Sequence, residues 1–382
     1  MKRYRRSSIL LLLCAVALVT ACGSPARRAQ ERATRRMLNE LDGYVSARHV
    51  YVASKLEHLD ALRKIAGSAK DPALRYETEM QIAHECFSFT FDSTQHYLKR
   101  CQSIARSMGD KDRYDRASIQ LGHLYAKAGN YMEAYNLLYQ QIDTAALSEE
   151  RKTQYLLALY DFSMDLSGNS GMVERLNIPP AAPFRTQLME RLPRDSEPWR
   201  SLLRDELFSQ ERYASADSVG RLLLSGCKPD QHSYAIYAYY LSEIAERMGR
   251  SSERMEWLIR SAQSDILNAV KDYASLTMVA QNILDDDVDR SFRYLRIAEE
   301  DAIFYNAKLR PWQISRFMME VEDAYAERQE RQRKNSMYAS ILLAVLTAAL
   351  ALLAWIFIVR SRKLARMREE LEESNRQLAR AN

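Results

Sequence analysis

One uncharged run, Met337–Val359, constrains this chain more than any other stretch. As a helix rising 1.5 Å per residue, its 23 residues are long enough to cross a hydrocarbon core of about 30 Å. Arg360 ends the run, and Trp355 and Phe357 lie close to that end, where amphipathic rings gather at a membrane–water boundary. A buried helix of a soluble domain is usually shorter and interrupted by polar positions. We read 337–359 as a transmembrane helix, which makes the question what lies on each side of it.

The N-terminus supplies the orientation. Lys2, Arg3, Arg5 and Arg6 precede an uncharged run, Ile9–Val19, and then Thr20-Ala21-Cys22, the order of a secretory signal. Val19-Thr20-Ala21-Cys22 also resembles the lipobox of bacterial lipoproteins, so 1–22 is expected to be a signal peptide with Cys22 as the lipidation candidate. Charges around the span orient it weakly. Arg328, Arg331, Arg333 and Lys334 precede it, much as Arg360, Arg362, Lys363, Arg366 and Arg368 follow it. Export of the N-terminal side breaks the tie. The expected placement is a single pass through the bacterial inner (cytoplasmic) membrane, with the large domain periplasmic and 360–382 cytoplasmic.

The formal charge of +5 resides in the two ends, and the exported body comes out near −2. That body has no electrostatic footprint for nucleic acid, and no nucleic acid is expected to bind the residues present. Cys86, Cys101 and Cys227 lack CxxC spacing. Cys86 and Cys101 form the one pair close in sequence, although small buried hydrophobes are the simpler reading of all three.

Between the ends the chain reads as helical hairpins. Only 11 Gly and 9 Pro occur in 382 residues, and no strand–turn–strand pattern is evident. A polar linker is expected over 23–36 and an exported helical domain over 37–336. Leu38, Leu41, Val45, Val52, Leu59 and Leu62 mark a first long amphipathic segment. The sharpest repeat is Asp115–Gln141, where Leu121-Gly122-x-x-Tyr125 is followed by Gly129, Tyr131, Ala134 and Leu138 at tetratricopeptide (TPR) spacing. Gly122 and Ala134 are small enough for two antiparallel helices to approach closely, and Gly129 serves the turn. With Tyr131 as anchor, comparable positions are Phe91, Tyr213, Ser251 and Val288. One further copy is expected to turn near Ser167–Gly171, distorted by Pro179, Pro180 and Pro183. The fold expected is an all-α, TPR-like solenoid of helical hairpins, then one transmembrane helix and a short coiled-coil helix.

The ordered series resembles the bacterial membrane-anchored TPR regulators. The segments that carry the likeness are 41–63 (LDGYVSARHVYVASKLEHLDALR), 71–110, 232–250 (HSYAIYAYYLSEIAERMGR), 286–310 and 360–382. The resemblance implies exported TPR helices, one span and a cytoplasmic coiled coil. Longer members continue into a DNA-binding helix-turn-helix. This sequence stops at Asn382, so the output domain is expected to be absent or truncated here. It also implies a concave groove binding a protein or peptide, with Arg116, Ile119, His123, Ala126 and Lys127 on its face. Around the fourth anchor it places Ile236, Tyr239, Glu243, Glu246 and Arg247 there.

In the tail, Leu364, Met367, Leu371, Ser374, Leu378 and Ala381 recur at alternating three- and four-residue steps, a coiled-coil seam through which two copies could pair. Catalytic and metal motifs are not apparent. His84-Glu85 begins an HExxH-like string, but Ser88 stands where the second His belongs, and Asp285–Asp289 lacks the Gly and Glu of a calcium loop. The chain is therefore expected to be a non-enzymatic, cofactor-free binding protein that relays an extracytoplasmic peptide, protein or envelope ligand to the cytoplasm. The alternative is an envelope scaffold lipoprotein without signalling.

Overall fold

The computed structural model describes residues 25–167, 176–272, 274–306 and 310–381. These are predominantly helical, with no strand among them. The stretch read as a signal peptide, with Cys22, and the turn expected for the distorted copy (168–171) lie outside the described residues. The chain divides into two compact units, one ending at Met319 and one beginning at Glu320.

The first unit is a succession of antiparallel helices: α1 (Pro25–Ser68), α2 (Pro72–Cys86), α3 (Phe91–Met108), α4 (Lys111–Lys127) and α5 (Tyr131–Tyr135). Then come α6 (Glu149–Leu166), α7 (Ala181–Arg191), α8 (Glu197–Ser209), α9 (Tyr213–Ser225), α10 (His232–Arg247), α11 (Ser251–Leu267), α12 (Ser275–Asn282) and α13 (Val288–Tyr305). The five repeat anchors, Phe91, Tyr131, Tyr213, Ser251 and Val288, are each the first residue of a helix, so the repeat register holds. Local chemistry explains the breaks. Asp71 with Pro72 caps α2, Asp110 caps α4 through Arg113 N at 2.9 Å, and Ser148 caps α6. Asp287, from the acidic 285–289 stretch, caps α13. Gly109 and Gly129 turn the chain with φ of 68° and 83°, a conformation costly for a residue with a Cβ.

The best repeat is built as its sequence implies. A Cβ on Gly122 would lie 2.5 Å from Leu138 Cδ2, so only glycine permits this approach of α4 to the helix after it. That second helix departs from α geometry, passing after Tyr135 into a π-helical stretch, Asn136–Gln141. Its Leu138 carbonyl accepts a hydrogen bond from Tyr155 Oη at 2.9 Å.

Two features were not legible in the sequence. The stretch read as a polar linker is helical from Pro25 on and continues without a break into the 44-residue α1. Its Arg, Gln, Glu and Ala are good helix formers, polar because they face solvent. The solenoid also does not stay open within the first unit. α1 packs on α2 and again on α11. Asp42 accepts from Arg290 Nη2 (3.0 Å), Arg293 Nη2 (2.5 Å) and Tyr294 Oη (2.7 Å). Lys271 N donates to Ser88 O at 2.8 Å, and Tyr305 Oη to Phe87 O at 3.0 Å. Residues roughly 180 to 250 positions apart are thereby tied together, and the hairpins close on themselves.

The 72-residue α14 (Arg310–Ala381) begins in the first unit, where Ile314 and Met318 are buried, and supplies the described part of the second. Unit two starts at Glu320, well before the apolar run. Phe317–Leu371 contains a window of mean hydropathy 2.8 with no residue buried, a candidate membrane span. Every side chain from Met337 to Val359 is exposed. Leu364, Met367 and Leu371 of the seam are exposed as well, whereas the Ser374 and Leu378 side chains lie outside the described residues.

Candidate functional site

The hairpins of the first unit line a cavity of about 820 Å³ that is partly open to solvent. Its wall combines one face of several helices with residues of the loop after α11, among them Asn268 and Asp272. From α4 come His123 and Lys127, spaced i,i+4, and from α6 Tyr160, Asp161 and Asp165. From α8 come Arg204 and Asp205, and from α10 His232, Ile236, Tyr239 and Tyr240. Lys55, Glu85, Phe87 and Tyr305 complete it from α1, the end of α2 and α13.

The polar groups of this wall are largely set by one another. Lys55 pairs with Glu85. Burial would push the Glu85 carboxyl up, but the Lys55 hydrogen bond and charge prevail and hold it below its ordinary range. Lys127 reaches Asp272 at 3.0 Å and Ser88 Oγ at 3.0 Å, with Phe87 beneath its ammonium at 5.0 Å. His123 Nε2 lies 3.2 Å from Asp161. Arg204 donates to Asp205 Oδ1 from Nε (3.0 Å) and Nη2 (2.6 Å), and Tyr160 Oη donates to Asp205 Oδ2 at 2.9 Å. The Arg204 guanidinium also sits 3.7 Å from the Tyr240 ring centre. Burial pushes the Tyr240 phenol up to about 12 and the Tyr160, Tyr237 and Tyr305 phenols up as well. It pushes His232 down to about 4, so that this imidazole is uncharged at neutral pH.

The residues expected on a groove face separate into groups. His123, Lys127, Ile236 and Tyr239 reach the cavity wall. Ile119 and Ala126 do not; each is 1% exposed and packs in a hydrophobic core with Tyr131, Phe162 and Leu166. Arg116 lines a second, smaller cavity of about 470 Å³, where it pairs with Glu77 at 2.9 Å. Glu243 and Arg247 lie away from the large cavity: Arg247 is exposed, and the half-buried Glu243 has its carboxyl raised by burial and by Glu246. Arg204, Asp161 and Tyr240 were missed. Asp161 and Asp165 sit at i,i+4 in the mostly apolar second half of α6, beside Tyr160, a pattern that could have flagged this helix. The thiols of Cys86 and Cys101 are buried and free, pushed up by burial to about 11 and about 12.

Among curated proteins no relative matches the chain. The family model described as the SusR N-terminal TPR domain matches residues 45–316, an interval that falls wholly within the first compact unit. The hairpin stack around this cavity, matched over most of its length, places the chain in the SusR-type TPR family.

Proposed function

We propose that the chain is a single-pass membrane receptor: the cavity of the first unit binds an extracytoplasmic peptide, protein segment or envelope component, and α14 carries occupancy to a dimerising cytoplasmic tail. Membership of a TPR family of regulators supports a regulatory or protein-interaction role, and helical repeat domains of this type are typically non-catalytic binding modules. The observation that carries the relay is the continuity of α14. It is rooted among buried residues at Ile314 and Met318 and runs as one helix through the apolar stretch to Ala381. A rigid helix transmits a displacement at its base along its length, provided that ligand binds two arrangements of the base unequally. The exposed seam at Leu364, Met367 and Leu371 is where a second copy would pack. The same reading sets the N-terminal side in the periplasm and anchors the chain in the inner membrane, with Cys22 as the lipidation candidate.

Cysteines at Leu371 and Leu378 test it by oxidative cross-linking in membrane vesicles. A tail–tail cross-link whose yield changes with occupancy of the cavity is expected; no cross-link in either state would sink the relay. Deletion of 360–382 should abolish the response, whereas a scaffold would keep its function without those residues.

A further inference from the structure

The two flanks of the apolar run differ in charge more than a count of their basic residues shows. Before it, over 320–336, five acidic residues stand among four basic ones. Arg331 pairs with Glu327 at 3.2 Å and Lys334 with Glu330 at 2.7 Å, each one turn back on α14, and Arg328 is engaged as well. After it, over 360–368, five basic residues occur with no acidic one. Arg360, Arg362 and Lys363 have no acidic residue three or four positions away on either side, so no local ion pair is open to them. All five basic side chains are exposed, and none is in an ion pair among the described residues.

Helix geometry turns these residues into a collar. At 1.5 Å per residue, Arg360, Arg362 and Lys363 occupy about 5 Å of the axis, directly beyond Val359. At about 100° per residue they point to three different sides of α14, and Arg368 fills the widest gap between them. Such a collar meets headgroups of several lipids at once, where a stripe would meet one side only. Guanidinium and ammonium groups donate to phosphate oxygens, the guanidinium as a two-pronged fork. The nearest acidic residue, Glu369, stands about 14 Å along the axis from Arg360. That exceeds a Debye length of about 10 Å at 0.1 M salt, so the innermost charge is not cancelled.

Taking Met337–Val359 as a membrane span, we propose that Arg360, Arg362 and Lys363, with Arg366 and Arg368 behind them, bind the phosphodiester headgroups of anionic phospholipids at the end of that span. Basic clusters placed directly beside a span recognise anionic lipid in this way.

Electron spin resonance of the full chain reconstituted in phosphatidylcholine vesicles tests this with two probes, acyl-chain spin-labelled phosphatidylglycerol and phosphatidylcholine. The motionally restricted component reports lipid held against the protein. Because it averages over lipids at both ends of the span, a preference of at least twofold for phosphatidylglycerol is expected. The triple change Arg360→Gln, Arg362→Gln and Lys363→Gln should bring the preference close to one, with helical circular dichroism intact. The triple change Arg331→Gln, Arg333→Gln and Lys334→Gln should leave it in place. Inorganic phosphate should lower it no more than chloride of equal ionic strength. Four results overturn the assignment: equal restriction of the two lipids, an undiminished preference in the first triple variant, loss in the second, or selective displacement by inorganic phosphate. No restricted component for either lipid would refute the span and the collar with it. A restricted component without preference would refute the collar alone and leave the span and the relay standing.

Discussion

Gly122→Ala isolates the contact on which the best repeat depends. Alanine is favoured over glycine in a helix interior by about 1 kcal/mol, so the substitution should stabilise α4 if nothing opposed it. The added Cβ, however, would meet Leu138 Cδ2 at 2.5 Å and Cγ at 2.6 Å. Carbon atoms settle at about 3.5–4.0 Å, so Leu138 would have to retreat by about 1 Å. Turning its methyls does not help, because Cγ is itself too close. Leu138 is fully buried, and overpacking of this kind costs about 1–3 kcal/mol. Both atoms are far inside contact distance, which points to the upper part of that range and a net loss of about 1–2 kcal/mol. Gly43→Ala is the control: it lies within α1, exposed, with nothing within 4 Å of the new Cβ, and should gain up to about 1 kcal/mol. Urea denaturation read at the midpoint, with unchanged slope, measures both. In a Leu138→Ala background the same Gly122→Ala change should become neutral or stabilising. If Gly122→Ala stabilised as much as Gly43→Ala, or if Leu138→Ala left its effect unchanged, close helix approach would not be what requires glycine here.

Asp42→Asn should loosen the closure of the hairpins by about 2 kcal/mol, since it weakens hydrogen bonds from two guanidiniums and the Tyr294 hydroxyl at a half-buried site. Hydrogen exchange should accelerate together in the first half of α1 and in α13 while α8 and α9 stay unchanged; an unchanged α13 would contradict the latch. His232 gives a pH signature. Its folded pKa of about 4 lies below the ordinary 6.5, so the unfolded chain binds a proton that the folded one refuses. Stability is therefore complete above pH 6.5 and declines as pH falls from 6.5 towards 4. His232→Gln should flatten that limb, and an identical pH profile in the variant would show that His232 does not carry it.

Much of the local architecture was legible without coordinates. The apolar run from Met337 to Val359 is helical, and the five repeat anchors begin helices, because apolar periodicity, caps and turn residues act within a few positions of one another. Gly122 could be identified as a close-approach position because its partner, Leu138, lies in the next helix of the same hairpin. The candidate site was legible only in part. His123, Lys127 and Tyr239 reach the cavity, but Ile119, one turn from His123 on α4, faces the neighbouring hairpin instead. The superhelical rotation from one hairpin to the next decides which residues of a helix face look inward, and it is a sum of many small packing angles that no single repeat records. Closure is the clearest case. Asp42 meets Arg290 and Tyr294 across about 250 residues, and nothing in the periodicity of either segment announces the other. By itself the sequence determined which segments are helical, where they turn and which one suits a membrane. Only the tertiary structure decided which residues of separate hairpins line one cavity, because that required distant helices to meet.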